Sequence, residues 1–407
     1  MKSIWIDEKR GHKLTDIDLL ARISSCDKIP RYIRTADPQE MMVQLLSGMV
    51  YGQEMVLLDA DFSLQEISAM GMDTEKLTDM TAVSPQHLSD MGVVTEAIAT
   101  QPWKLWMFTS GTTGLPKKVC HSYKTLGRNV RVSERHHDDV WAFAYRFSHM
   151  AGVQVLLQAI MNENTMVYVF EDEPRSVVEN MAKFSCTHIS ATPTFYRNIL
   201  QYVGKDKLCL RHLTLGGEKY DADLCEKLKS LLPDVKLHNI YASTETGSIL
   251  NAVGDAFTIP EMYKDKVKIS ADGELLIHQS LLGEFPLEGE WYNTHDIVRD
   301  DNGLLKFQSR KSDLLNIGGY KVNPLEVEAA MQVVTGVKDC LVYGQKNSVL
   351  GTILLADIVL EVGFTEKDVK KSVRRELKDK LQDFKIPRVF QFVAEIERTR
   401  SGKKVRK

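Results

Sequence analysis

The residues with the clearest chemical signature lie in one string: Phe108-Thr109-Ser110-Gly111-Thr112-Thr113-Gly114-Leu115-Pro116-Lys117-Lys118. A loop rich in Gly, Ser and Thr after a strand lets backbone amides and hydroxyls close around phosphate oxygens. Glycine permits the close approach, and the hydroxyls and a lysine supply further donors. The spacing is not that of the Gly-x-x-x-x-Gly-Lys-Ser/Thr phosphate loop. That pattern would need glycine where Pro116 stands and Ser or Thr where Lys118 stands.

Such a loop must be carried by a scaffold, and the flanking sequence predicts one. Residues 104–108, 139–147, 165–170, 187–190, 211–215 and 235–240 read as strands. Residues 151–161, 175–184, 194–203 and 222–232 read as helices between them. Strands alternating with helices of about ten residues predict an α/β domain built on mainly parallel sheets covered by helices. The last hundred residues read differently. Residues 339–343 and 352–360 alternate like half-buried strands. Thr365 is a plausible N-cap for a charged helix over 366–381, because its hydroxyl can accept from an orphan amide. Pro387 opens a further strand over 389–394. This predicts a small α+β C-terminal domain, with the boundary in the charged turn at 309–313. Residues 1–100 read as mixed helix and strand and offer no site.

Bulk properties narrow the function classes. With 43% hydrophobic and 26% charged residues, the 407-residue chain can bury a large core. Lys and Arg number 52 against 55 Asp and Glu, so the net charge of −3 gives no nucleic-acid signature. The six cysteines, Cys26, Cys120, Cys186, Cys209, Cys225 and Cys340, are scattered without CxxC pairing. That argues against a disulfide framework or a zinc knot and for a reducing cytoplasmic setting. The opening residues lack a signal-peptide core, and no run approaches the roughly 18 apolar residues of a membrane span.

The eleven-residue string resembles the phosphate loop of the adenylate-forming superfamily: acyl-CoA synthetases, peptide-synthetase adenylation domains and firefly-type luciferases. Further segments resemble that family's motifs in the same order. They are Gly216-Gly217-Glu218 at a strand end, Asn239-Ile240-Tyr241-Ala242-Ser243-Thr244-Glu245, Tyr292-Asn293-Thr294-His295-Asp296, residues 310–319, and Ser401-Gly402-Lys403. The resemblance covers roughly residues 103–407. Six weak matches in sequence order make a specific one.

The resemblance implies a large N-terminal domain over 1–309 (1–100 shortened), a hinge at 310–313 and a small C-terminal domain over 314–407. It implies ATP-dependent conversion of a carboxylic acid to an acyl-adenylate with loss of pyrophosphate, then transfer to a thiol. That thiol is CoA or the phosphopantetheine of a separate acyl carrier protein. A nucleotide-binding paralogue with little turnover is the rival reading. Under the resemblance, Thr109, Ser110, Gly111, Thr112, Thr113, Gly114 and Lys117 hold phosphates. Tyr241 offers a face for adenine, and Asn239 and the backbone around Gly217 and Glu218 read its edge. Ala242 and Ser243 adjoin the nucleotide, Thr244 holds the α-phosphate, and Glu245 is an oxygen ligand suited to Mg²⁺. Asp296 accepts from both ribose hydroxyls, and Arg310 adds a fork. Arg146-Phe147-Ser148-His149-Met150-Ala151-Gly152 matches the segment lining the acyl pocket, together with Gly216. His149 is then its gate or wall, while read alone the segment is a capped helix start with a core histidine. Arg146 requires an anionic partner if it faces the pocket. Lys403 is the catalytic lysine, Ser312 the pivot, and Gly319 lies along the pantetheine tunnel.

Four positions depart from the pattern: Lys118, Ala242, His295 and Ser309 each stand where the family has Gly. Where such a position requires φ > 0, a side chain costs about 1–2 kcal/mol. No acidic residue within 144–149 is placed to pair with an α-amino group, which argues against an amino-acid substrate.

Overall fold

The structure, a computed structural model, describes residues 1–109, 117–204, 207–311, 314–317, 320–347, 351–381, 383–398 and 404–405. The chain divides into two compact units. The first comprises Met1–Val267 with Ile277–Tyr292, and the second Lys268–Leu276 with Asn293–Lys407.

The first unit is built on a sheet of eight described strands. From one edge the order is Gly247–Ala252, Lys236–Ser243, His212–Gly216, His188–Ala191, Val140–Phe143, Thr165–Tyr168, Ser3–Asp7 and His12–Thr15. The six central strands run parallel, and each edge strand is antiparallel to its neighbour. Side chains alternate between two cores, as the strand period of two requires. Phe143 and Met166 join one core with Trp5 and the helix Met150–Ile160. Ala142 and Val167 join the other, beneath the helices Pro174–Lys183, Pro193–Ile199 and Ala222–Leu231. This is the predicted helix-covered parallel sheet. One difference is that the strand expected over 139–147 ends at Phe143. Ala144, Tyr145 and Phe147 are still buried, but in the turn that leads into the next helix.

A second sheet in the same unit runs Tyr32–Ile33, Glu54–Leu57, Lys104–Phe108 and Lys118–His121. Its last two strands form the antiparallel hairpin that bears residues 110–116.

The second unit contains the hairpin Trp291–Asp301 and Leu304–Arg310, which enters it from Asn293 onward. It also holds a three-stranded sheet of Val337–Asn347, Gly351–Leu360 and Val389–Phe392. Helices Pro324–Gln332 and Glu366–Lys380 pack on that sheet, through Val327, Met331, Val369, Val373 and Leu377 among others. Thr365 caps the second helix as its sequence predicts: its hydroxyl accepts from the Asp368 amide at 3.3 Å.

Candidate active site

In a parallel sheet, loops at the carboxyl ends of the strands are free to build a site. Gly216 closes its strand, and Gly217 follows at φ 78, a left-handed conformation that favours glycine. Glu218 then turns back. Its Oε2 accepts from the Thr194 amide at 3.1 Å and the Thr194 hydroxyl at 2.8 Å, which ties this loop to the start of the helix Pro193–Ile199. The other oxygen, Oε1, is buried with no hydrogen-bond partner among the described residues.

The neighbouring strand Lys236–Ser243 and the antiparallel Gly247–Ala252 are joined by the turn 244–246. Ser243 and Thr246 close this turn through mutual hydroxyl and amide bonds of 3.1–3.3 Å. Gly247 leaves it at φ 64. Tyr241, Ala242, Ser243, Thr244 and Glu245 are all half-buried. Ala242 lies beside a bulge at Tyr241, and its φ is not positive. Asn239 is buried, and its Nδ2 donates to the Gly254 carbonyl at 2.9 Å.

Three distant segments hold the Thr244–Glu245 turn. The Tyr292 hydroxyl donates to Glu245 Oε1 at 2.9 Å. The Gly283 amide donates to the Glu245 carbonyl at 2.8 Å. His121 Nε2 lies 2.7 Å from the Thr244 carbonyl, and its Nδ1 lies 3.0 Å from the Thr125 hydroxyl. A carbonyl only accepts, so Nε2 carries the proton. Burial above all pushes the His121 pKa down to about 4, against the opposing pull of the Thr244 hydrogen bond. Sequence reasoning missed His121 and the bond between Tyr292 and Glu245. A lone histidine ending a strand gives no local sign of its partner.

At the base of the Gly/Ser/Thr loop, Thr109 and Lys117 clasp each other. The Thr109 amide donates to the Lys117 carbonyl at 2.9 Å, and the Lys117 amide to the Thr109 hydroxyl at 2.9 Å. Ser110, Gly111, Thr112, Thr113 and Gly114 lie outside the described residues. Lys118, beside them, places its ammonium 4.2 Å from the centre of the Trp106 ring.

The proposed acyl-pocket segment is shaped by Gly152. A Cβ there would stand 2.2 Å from the Arg146 carbonyl, so only glycine fits this turn. His149 occupies the N-cap position of the helix Met150–Ile160, and its amide donates to the Arg146 carbonyl at 3.2 Å. Arg146 has anionic partners. Its Nη1 lies 3.3 Å from Asp61 and 3.7 Å from Asp59, and Asp59 also accepts from the Ser148 hydroxyl. Both carboxylates come from residues 1–100, where the sequence offered no site.

In the second unit, Asp296 and Arg310 face each other across the hairpin. Arg310 Nε donates to Asp296 Oδ1 at 2.8 Å, and Asp296 is buried. His295 sits at φ 59, so one of the four replaced glycines does occupy a left-handed position. The His295 ring faces Glu274 at 3.1 Å. Ser309 has no positive φ. Ser312, Gly319 and Lys403 lie outside the described residues.

The family model described as AMP-binding enzyme matches residues 73–276, and that described as AMP-binding enzyme C-terminal domain matches residues 326–403. The 2-succinylbenzoate–CoA ligase of Listeria monocytogenes serotype 4b is 27% identical over 328 residues, covering 73% of this chain and 67% of its own. The mitochondrial acyl-coenzyme A synthetase ACSM5 of Rattus norvegicus is 27% identical, over 74% of this chain and 59% of its own. Among solved structures, the o-succinylbenzoate CoA synthetase of Bacillus subtilis, in complex with an acyl-adenylate intermediate, superposes with a TM-score of 0.75. It is 20% identical, and the match covers 100% of this chain and 94% of that one. At that identity the likeness speaks for the fold alone.

Proposed function

The chain belongs to the AMP-binding enzyme family, and from that premise we infer that it is an ATP-dependent acid–thiol ligase. It joins a carboxylic acid to AMP with release of pyrophosphate, then passes the acyl group to CoA. The observation that carries this reading is the Thr244–Glu245 turn. Its carboxylate is oriented by Tyr292 and its backbone is pinned by His121 and Gly283. A half-buried carboxylate and nearby hydroxyls are hard oxygen donors, a set that fits Mg²⁺. Bound there through Glu245, the ion would neutralise phosphate charge.

The rest is positioning and electrostatics by the chain itself. Thr109 and Lys117, with residues 110–114, embrace the phosphates. Thr244 donates to the α-phosphate. Tyr241 stacks on adenine, and Gly217, Glu218, Asn239, Ala242 and Ser243 frame it. Asp296, with Arg310 beside it, takes the ribose. His149, Gly152 and Gly216 bound the acyl group, and Arg146 braces that wall through Asp59 and Asp61. Lys403 serves adenylate formation, Ser312 is the pivot within 310–313, and Gly319 serves thioester formation. The names of the relatives, a 2-succinylbenzoate–CoA ligase and an acyl-coenzyme A synthetase, support CoA as acceptor. No helix among the described residues is long and apolar enough to cross a membrane. The six free cysteines support a reducing cytoplasm as its place of work.

The test is pyrophosphate release over a panel of carboxylic acids, with ATP and with or without Mg²⁺, followed by addition of CoA. Acid- and Mg²⁺-dependent release, then thioester on adding CoA, is expected. Nucleotide binding with no release for any acid would overturn the assignment in favour of a binding paralogue.

A further inference from the structure

The opposite end of the same parallel sheet carries a second constellation that the ligase chemistry does not use. Asp139 immediately precedes the strand Val140–Phe143, and His136 sits on the short turn before it. His188 opens the adjacent strand His188–Ala191. The ligating atoms of His136, Asp139 and His188 all lie within 4.8 Å of one another. Asp139 and His188 are buried, and the His136 side chain is 33% exposed.

The two carboxylate oxygens of Asp139 have different surroundings. Oδ1 accepts from Arg211 Nη2 at 2.9 Å. Oδ2 is shared, lying 2.8 Å from His136 Nδ1 and 3.6 Å from His188 Nε2. The longer separation exceeds a hydrogen bond. Among the described residues no hydrogen bond reaches His188 Nε2. The other ring nitrogen of His188 lies 2.8 Å from the Thr187 hydroxyl oxygen. That oxygen also takes the Val140 amide at 2.9 Å and lies 3.2 Å from the Val140 carbonyl. Thr187 can therefore accept the Nδ1 proton while giving its own hydrogen to Val140. In that tautomer the Nε2 lone pair faces a carboxylate, two electron-rich atoms separated by a gap that a cation would close.

A tetrahedral ion with bonds of about 2.0–2.2 Å sets its ligand atoms roughly 3.3 Å apart. The two separations from Asp139, 2.8 and 3.6 Å, bracket that value, and the two imidazoles lie within 4.8 Å of each other, a spacing that binding must shorten to fit. His136, on an exposed turn, is the ligand with room to adjust. The contacts of Thr187 and Arg211 are of the outer-shell kind that fix a ligand's tautomer and orientation.

We propose that His136, Asp139 and His188 bind a divalent transition-metal ion of the Zn²⁺ class, at the amino ends of the strands and apart from Glu245. Two imidazoles and one carboxylate suit zinc better than magnesium, and three protein ligands leave a fourth position for water. The ion ties the turn before one strand to the start of the next.

The experiment uses the full chain, untagged and stripped with a chelator. It is titrated with Zn²⁺ against a chromophoric competitor and with Co²⁺ by visible absorption. One equivalent is expected, with a Co²⁺ spectrum of four-coordinate type. His136→Ala, on the exposed turn, should weaken binding by at least about tenfold. His188→Phe should do the same while keeping its stack on His212, whose ring lies 4.7 Å away. Glu245→Gln should leave Zn²⁺ affinity unchanged. No stoichiometric binding, equal affinity in the parent and both histidine variants, or loss on Glu245→Gln instead would each overturn the proposal.

Discussion

Lowering the pH should destabilise this protein through His121, and the effect can be sized from the structure. The His121 ring is 1% exposed, donates to the Thr244 carbonyl and has a pKa depressed from 6.5 to about 4 by burial. A histidine whose folded pKa is depressed contributes stability that is intact above the unfolded pKa. That stability is lost as pH falls toward the folded one, because in that window the unfolded chain binds the extra proton. The full shift corresponds to roughly 3 kcal/mol, of which about 2 kcal/mol is lost between about pH 7.5 and about pH 5. His121→Gln keeps an Nε2 donor for Thr244 but cannot titrate. Equilibrium urea unfolding, followed by tryptophan fluorescence at both pH values, gives the comparison. The parent should lose about 2 kcal/mol more than His121→Gln over that interval. Other histidines, His188 included, are common to both proteins and cancel in the difference. Equal losses in the two would refute the argument. Adenylation should show the same window, since the Thr244 carbonyl anchors the turn that bears Glu245.

Glu245→Gln should slow pyrophosphate release most at limiting Mg²⁺, because an amide cannot replace the charge at the metal. Equal rates for variant and parent at low Mg²⁺ would count against that role. His295→Gly should stabilise the second unit by about 1 kcal/mol, since it removes a side chain from a left-handed position. The lost contact with Glu274 is exposed on the histidine side, and Glu274 keeps Lys311 at 3.0 Å; lower stability in urea would contradict this. Lys403→Ala should slow adenylate formation by about 10²–10³, or ~2.7–4 kcal/mol, yet still make thioester from pre-formed acyl-adenylate. Parent rates in both half-reactions would place Lys403 in an ordinary basic tail.

The parallel half of the fold was legible because it is written in local periods. Apolar runs such as 165–168 and amphipathic helices such as Ala222–Leu231 announce themselves within ten residues. The Thr365 cap is local in the same way. Residues 1–100 were opaque because their structure is tertiary. Ser3–Asp7 becomes a sheet strand only by pairing with Thr165–Tyr168, and nothing near residue 3 specifies that partner. Asp59 and Asp61 acquire meaning only beside Arg146. The replaced glycines divide by backbone: Ala242 and Ser309 have no positive φ, while His295 carries the strain that the family glycine would avoid.

The same division runs through the site. The Thr244–Glu245 pair stands in a motif visible in the chain, but the side-chain and backbone contacts that hold it in place are not visible there. One orienting bond comes from Tyr292, one from Gly283 and one from His121, on segments separated by more than a hundred residues in total. A carboxylate in a free turn would sample many rotamers, and ordering it on binding would cost affinity. Here two backbone anchors hold the turn and a phenolic hydroxyl holds the carboxylate. Preorganisation of that kind gives electrostatic catalysis its strength, because the charged group need not reorganise as the reaction proceeds. Protonation would leave the Nε2 donor in place but add a charge in a site removed from water, and that costs stability. The low pKa of His121 is thus a consequence of the burial that makes it a rigid anchor, and acid should loosen the site by the same means that it destabilises the fold.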